Sequence, residues 1–199
     1  MVKMYKFALA ALVLIFSASG SQANAGEPTD QLSGTINKFL SVLTSTPVSE
    51  LRANGLPESA RKLVFTRFDF SEMAKRSLAG HWKGLSSGEQ KEFVDAFTER
   101  LLYVYGRSVR SSADSKIEFS RESRDGQQAT VETKVTGGSG DILPIDYQMH
   151  NVSGQWKVYD VVIDHVSIVD NYRAQFDRVI AKSSVKQLLD RMKDLRQDS

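Results

Sequence analysis

One segment, residues 156–176 (WKVYDVVIDHVSIVDNYRAQF), constrains the fold of this chain more than any other. Its first half carries apolar side chains on both alternation phases: Trp156, Val158 and Val162 on one, and Tyr159, Val161 and Ile163 on the other. A strand with one face in water alternates apolar and polar residues, so this strand is predicted to be covered on both faces. After Ser167 the apolar residues recur at helical spacing. The sequence therefore predicts a central strand that runs almost directly into an amphipathic helix, and we place the function at that joint.

The first 25 residues have the features of a secretory signal peptide. Lys3 and Lys6 precede an apolar run at 7–18, and Ala23-Asn24-Ala25 supplies the small residues that a signal peptidase requires. The run is shorter than the roughly twenty apolar residues of a bilayer span. We therefore predict a signal peptide at 1–25, a single domain at 26–199 and export to a bacterial periplasm.

Composition excludes several classes of protein. The chain contains no cysteine, so neither a disulfide framework nor a lipoprotein anchor can form. The full sequence has 26 Lys and Arg against 24 Asp and Glu, and without the two lysines of the leader the charges balance. A neutral mature protein lacks the basic surface that nucleic acids attract, so we expect no nucleic-acid partner.

The two halves of the mature chain differ in period. Up to about residue 111 the apolar residues follow helical spacing, and Ser86 to Glu89 fits a capping box. From Lys116 the period is two, with turn signals at Asp125-Gly126, 137–140 and 153–154. The final helices are predicted at 170–181 and 185–195. The predicted class is α+β: N-terminal helices packed on a four-stranded or slightly larger antiparallel meander sheet, closed by C-terminal helices.

Groups that could carry out catalysis are few. No GxSxG, HExxH, P-loop or dinucleotide motif occurs, and the chain has three histidines. Asp160, Asp164 and His165 are the one suggestive cluster, since an aspartate in an apolar cavity can act as a general base. The alternative is that Asp160 bonds a nearby backbone group or hydroxyl. We expect no catalytic residue, metal or cofactor.

Six motifs in order carry a family resemblance. They are FDFSEMA at 68–74, GHW at 80–82, SSGEQKEFVDAF at 86–97, WKVYDV at 156–161, VSIV at 166–169 and NYRAQF at 171–176. Together they resemble the MlaC family, also called the toluene-tolerance auxiliary family, over about residues 30–195. One departure is His165, where the family pattern leads us to expect a glycine.

The resemblance implies a function and its partners. It implies a periplasmic phospholipid shuttle that maintains outer-membrane lipid asymmetry. Its partners are then an outer-membrane lipoprotein complex and an inner-membrane ABC transporter complex with a lipid-binding substrate-binding subunit. A hopanoid-associated branch is similar and remains an alternative. Two other classes also stay open: an isomerase- or dehydratase-like enzyme that uses Asp160, and an interaction adaptor without a cavity.

A lipid carrier has to shield acyl chains from water. Moving two chains of about sixteen carbons from an apolar environment into water costs roughly 25 kcal/mol of free energy, at about 0.8 kcal/mol per methylene. Periodicity and the resemblance together predict a cavity between helices and sheet, whose wall consists of Phe97, Leu101, Tyr105, Val131, Val135, Tyr147, Met149, Val158 and Val162. The alternative is that these side chains pack into a solid core.

The joint is predicted to close one end of that cavity. The side chains expected there are Val166, Ile168, Tyr172 and Phe176. Arg173 follows Tyr172 and is predicted to lie at the mouth, where a guanidinium can pair with a lipid phosphate in bidentate fashion. The alternative for Arg173 is a surface salt bridge to Asp170 or Asp177.

Overall fold

The computed structural model describes residues 27–111, 115–137 and 140–193, so the predicted signal peptide lies outside the described residues. The helices are α1 (Pro28–Ser45), α2 (Val48–Asn54), α3 (Glu58–Arg67), α4 (Phe70–Leu78), a 3-10 helix (Ala79–Gly84), α5 (Ser87–Ser111), α6 (Ile168–Lys182) and α7 (Val185–Lys193). The strands are β1 (Lys116–Asp125), β2 (Gln128–Thr136), β3 (Ile142–Val152), β4 (Gln155–Ile163) and β5 (Val166–Ser167). The predicted α+β class is confirmed.

The strands form one antiparallel meander in the order β1-β2-β3-β4-β5. The fifth strand has two residues, so the sheet is one short strand larger than the four predicted by periodicity. Val131 pairs with Tyr147, and Tyr147 pairs with Val161, so these three side chains share one face. The helices cover that face, and we call it the inner face.

A β-bulge in β4 reverses the alternation phase. Met149 pairs with Val158 and Gln148 pairs with Asp160, which leaves Tyr159 as the extra residue. A single inserted residue moves every later side chain of a strand to the opposite face. Because both phases of β4 are apolar, the sequence pattern contains no sign of this reversal.

Two predicted orientations are therefore wrong. Val158 and Val161 both lie on the inner face and are buried, whereas Asp160 and Val162 lie on the outer face. Val162 pairs with Asp146 and does not belong to the predicted cavity wall. The bulge also separates Asp160 from the apolar layer that its sequence phase suggested.

The turn between β4 and β5 explains the departure at His165. Asp164 has φ 47° and His165 has φ 65°, so both residues of this tight turn adopt the left-handed conformation. Two-residue hairpin turns of this kind favour glycine, although Asp and His are among the other residues that tolerate it. The turn therefore keeps the geometry that a glycine would supply.

Local capping signals fix the starts of two helices. Asp69 caps α4 and accepts a hydrogen bond from the Glu72 backbone N–H at 2.9 Å. Ahead of α5, the Ser86 backbone N–H donates to Glu89 Oε2 at 2.9 Å and the Glu89 N–H donates to Ser86 Oγ at 3.3 Å, which confirms the predicted capping box. The region between α1 and α3 contains the short helix α2.

A buried arginine joins α1, α3 and β4. Arg67 is 6% exposed; its Nε donates to Thr35 Oγ1 at 3.1 Å and its Nη1 donates to Gln31 Oε1 at 2.8 Å. Nη1 also donates to the Trp156 carbonyl oxygen. Burial lowers the pKa of the Arg67 guanidinium, because the charged form loses hydration. These bonds fix α1 and α3 against the start of β4.

Candidate functional site

The inner face of the sheet has two zones. Towards one end the side chains are fully buried against the helices, among them Ala129, Val131, Met149, Trp156 and Val158. Towards the other end apolar side chains stay partly accessible, and we call this set the open zone: Phe119, Val135, Leu143, Ile145, Tyr147 and Ile163. Accessible apolar surface on a helix-covered face is where an apolar ligand can bind.

Tyr147 lies at the boundary of the two zones. Its side chain is partly accessible, yet burial raises the pKa of its hydroxyl to about 12, an effect that a hydrogen bond with Thr133 reduces. The Thr133 hydroxyl in turn donates to the Ile145 carbonyl oxygen at 2.8 Å. A group that is accessible and still surrounded by protein lines a recess, so the open zone extends inwards from the sheet end.

The raised pKa of Tyr147 predicts a stability loss in alkali. Because the folded protein disfavours the phenolate, the stabilisation is complete below pH 10 and is lost as pH rises towards 12. At 1.36 kcal/mol per pKa unit, the loss reaches about 2–3 kcal/mol. Urea unfolding of lipid-free protein at pH 9 and pH 11.5 should show a smaller pH dependence for Tyr147→Phe than for the wild type. Equal slopes would contradict a buried hydroxyl.

The second half of α5 approaches the strand-to-helix joint. Tyr105 is partly buried, and its pKa is raised first by burial and then by the proximity of Tyr172 and Asp160. Tyr105 on α5 therefore lies within electrostatic reach of α6 and of the end of β4. The structure brings this part of α5 to the strand-to-helix joint that the sequence singled out.

Most of the predicted wall belongs to the solid core. The buried members of the wall are Phe97, Leu101, Val131, Met149 and Val158, and the buried residues of the predicted joint are Ile168, Tyr172 and Phe176. The Phe97 ring lies 5.1 Å from the Tyr172 ring and 5.8 Å from the Phe176 ring, both in edge-to-face contact. For these residues the structure shows the packed-core alternative, whereas Tyr105, Tyr147 and Val135 remain partly accessible.

Val166 does not close an end of the core. It lies in β5, pairs with Ile163 and is 57% exposed. Its side chain therefore extends the open zone at the sheet edge, beyond the buried residues of α6 that were predicted to act with it. The pairing with Ile163 places it on the same face as that side chain.

Arg173 is engaged elsewhere. Its Nε donates to the Arg76 carbonyl oxygen at 3.0 Å, and its Nη1 forms a salt bridge with Asp170 at 2.8 Å. The guanidinium joins α6 to the end of α4, as the salt-bridge alternative expected, and its place at a lipid mouth stays a prediction. The periodicity of α6 alone could not distinguish the two positions, because α6 contacts both α4 and the sheet.

Removing Arg173 should therefore leave lipid binding unchanged. Arg173→Ala removes a half-exposed ion pair and one hydrogen bond, so we expect a loss of about 1 kcal/mol in the free energy of unfolding. Lipid titration and urea unfolding of the variant measure both quantities. A tenfold weaker affinity for an anionic phospholipid, with unchanged stability, would show that Arg173 contacts the lipid at the mouth of the site.

Asp160 joins the sheet to α6. Its Oδ2 accepts a hydrogen bond from the Ser167 hydroxyl at 2.5 Å, and its Oδ1 accepts from the backbone N–H groups of Val161 at 2.8 Å and Val169 at 3.1 Å. Burial raises the pKa of Asp160, and these three hydrogen bonds lower it in part. Both oxygens of the Asp160 carboxylate already accept hydrogen bonds near the start of α6. The use of Asp160 as a general base is therefore not favoured.

Residues of the open zone that the sequence analysis left out are Phe119, Leu143, Ile145 and Ile163. The first three lie in β1 and β3 and Ile163 lies in β4. The strand patterns marked all four as apolar, and a pattern does not show which part of a face stays accessible. Within the described ranges no group of His, Asp and Glu side chains could hold a metal ion. None of the described helices is both long and apolar enough to cross a membrane.

The fold and the open zone define a class: an α+β protein whose helix-covered antiparallel sheet keeps part of its covered face available to an apolar ligand. Comparison with known families then shows to which family the chain belongs. The model of the MlaC protein family matches residues 33–194. The chain therefore belongs to the MlaC protein family.

Individual relatives agree with this assignment. The chain is 25% identical over 168 residues to the toluene tolerance protein ttg2D of Pseudomonas putida, covering 83% of this chain and 78% of the relative. It is 23% identical over 120 residues to the intermembrane phospholipid transport system binding protein MlaC of Haemophilus influenzae, covering 58% and 56%.

A solved structure shares the fold. The structure of the phospholipid-binding protein from Ralstonia solanacearum, in complex with a phospholipid, superposes with a TM-score of 0.77. It covers 85% of this chain and 97% of its own, at 19% identity. At that level of identity the match establishes the common architecture.

Proposed function

We propose that this chain is a periplasmic phospholipid carrier that shuttles lipid between outer- and inner-membrane transport complexes and so maintains outer-membrane lipid asymmetry. The observation that carries the proposal is the open zone: apolar side chains that face the helical layer and remain partly accessible. Exposing two acyl chains to water costs roughly 25 kcal/mol of free energy, at about 0.8 kcal/mol per methylene. A carrier therefore needs an apolar surface that shields them. The transport system named for the Haemophilus relative and the phospholipid in the Ralstonia structure support this ligand class.

The proposal includes the location and the partners. The leader at 1–25 supports export to the periplasm, with the mature protein beginning at Gly26. The proposed partners are an outer-membrane lipoprotein complex and an inner-membrane ABC transporter complex with a lipid-binding subunit. We also propose that the protein is not an enzyme. The hydrogen bonds of the Asp160 carboxylate support this, because they give that side chain a structural role between β4 and α6.

Native mass spectrometry of protein purified from a periplasmic fraction tests the proposal. We expect a mature mass that begins at Gly26, plus bound lipid that chloroform extraction identifies as phospholipid. The control is the same protein stripped of lipid by unfolding, then refolded and incubated with phospholipid vesicles. Protein that carries no lipid and takes none up from vesicles would contradict the proposal, and a bound hopanoid would assign the protein to the related branch.

A further inference from the structure

A second concave site lies on the side of the molecule formed by α3, α4 and α5. It is a groove of about 520 Å³, which we call the aromatic groove, and none of the predicted lipid-wall residues lines it. Its lining residues are Phe65, Phe68, Asp69, Phe70, Val94, Asp95, Thr98, Glu99 and Lys157. Three of them, Phe68, Asp69 and Phe70, come from the first of the motifs that carry the family resemblance.

The groove is distant from the open zone. Phe68 bridges to Val158 and the Asp69 N–H donates to the Val158 carbonyl oxygen at 2.8 Å, which fixes the groove at the start of β4. Ile163 of the open zone lies at the other end of that strand, six residues from Lys157. At about 3.3 Å per residue the separation is about 20 Å. A molecule bound in the groove therefore leaves the open zone free.

The floor of the groove is aromatic and preformed. The Phe65 and Phe70 rings are in edge-to-face contact at 5.3 Å, and the Phe68 and Phe70 rings stack at 5.8 Å. Phe70 is buried, whereas Phe65 is 45% exposed. An exposed aromatic side chain beside a rigid aromatic floor is the arrangement into which a partner's large apolar side chain can insert.

The rim of the groove is acidic. Its lining includes three carboxylates, Asp69, Asp95 and Glu99, and one cation, Lys157. Asp69 is engaged by the Glu72 N–H at the start of α4 and by His150 Nε2 at 3.0 Å, so Asp95 and Glu99 are the carboxylates that a partner can reach. Asp95 pairs with Lys91 at 2.6 Å and Glu99 pairs with Arg61 at 2.6 Å, both across exposed surface. Exposed pairs contribute little to stability, so these carboxylates can exchange their partners at small cost. The rim therefore complements a positively charged segment and disfavours the phosphate of an anionic lipid.

We propose that the aromatic groove is a docking site for a segment of a partner protein that presents a large apolar side chain flanked by arginine or lysine. The inference rests on the proposed function, because it assigns that segment to one of the two transport complexes. Docking about 20 Å from the open zone holds the carrier to its partner while the lipid enters or leaves.

The test uses Phe65→Glu, with Val48→Glu as the matched control. Val48 lies in α2 outside the groove and is 63% exposed, so it receives the same charge at a comparably exposed site. The probes are the purified periplasmic domain of the transporter's lipid-binding subunit and the purified outer-membrane lipoprotein, both from the same organism. Biolayer interferometry should show that Phe65→Glu weakens binding to at least one probe tenfold or more, while Val48→Glu binds like the wild type.

Two further measurements complete the test. Asp95→Lys should weaken the same interaction and reduce its dependence on salt. If Phe65→Glu folds poorly by circular dichroism, Phe65→Ser replaces it and should show the same loss. Native mass spectrometry of each variant should show an unchanged lipid content. A chain that docks through the groove and carries no lipid would contradict the proposed function and leave the groove assignment standing.

Several results would overturn the groove assignment. One is wild-type affinity of the Phe65 variants for both probes, and another is failure of the wild-type protein to bind either probe. Sedimentation showing that the Phe65 variants abolish only self-association would assign the groove to a second copy of this chain. Loss of binding only to vesicles of phosphatidylglycerol and phosphatidylethanolamine would assign it to a membrane surface.

Discussion

Replacing Phe97 by alanine is expected to lower the free energy of unfolding by about 3–5 kcal/mol. Phe97 is completely buried, and its ring is surrounded by those of Phe93, Tyr172 and Phe176. The substitution removes the transfer free energy of the ring and leaves a cavity between α5 and α6. Urea unfolding of lipid-free protein measures the change.

The matched control is Phe65→Ala, the same substitution at an exposed phenylalanine. Phe65 contacts Phe70 through a ring edge and is 45% exposed, so we expect a loss of about 1 kcal/mol or less. Equal losses for the two variants would show that the space around Phe97 is already hollow. In that case Phe97 would be assigned to the wall of the lipid site, as its position in the sequence pattern predicted.

Replacing Ile163 by lysine is expected to weaken phospholipid binding about 100-fold. Ile163 lies in the open zone at the end of β4, partly buried against the core. An ammonium there would have to be desolvated against acyl chains, and burying even an uncharged polar group costs about 1–3 kcal/mol in proteins. About 2.8 kcal/mol corresponds to 100-fold in affinity. Titration of lipid-stripped protein with a fluorescent phospholipid measures the effect.

Val162→Lys is the control for this prediction. Val162 precedes Ile163 and lies on the outer face, where it pairs with Asp146. A lysine at that position meets water and a carboxylate, so both lipid affinity and stability should remain close to those of the wild type. Equal loss of affinity in the two variants would mean that the inner face does not hold the lipid. Loss in Val162→Lys alone would place the lipid on the outer face.

Local signals in the sequence were sufficient for most of the helices and for the order of the four long strands. The capping box at Ser86 and Glu89 is a contact between residues three apart, and the turn at Asp125-Gly126 joins neighbouring strands. Such interactions depend only on nearby residues, so the sequence contains them. For the same reason the change of period after Ser167 predicted a helix there, at 170–181, and α6 begins two residues earlier, at Ile168.

The faces of β4 depended on the tertiary structure. The bulge at Tyr159 arises from the pairing of β4 with β3, and an extra residue in a strand that is apolar on both phases leaves no pattern to read. Asp160 and Val162 were consequently assigned to the wrong side. Only the pairing partner decides which of two apolar phases faces the helices.

The sequence by itself determined the four long strands, most of the helices, their order and the apolar character of the inner face. The tertiary structure alone decided where that face is filled and where it stays accessible. Packing is set by how residues distant in the chain meet: Phe97 is completely buried against rings of α6, whereas Ile163 stays partly accessible. A hydrophobic pattern records which side chains avoid water, and it does not record how much space the facing layer leaves.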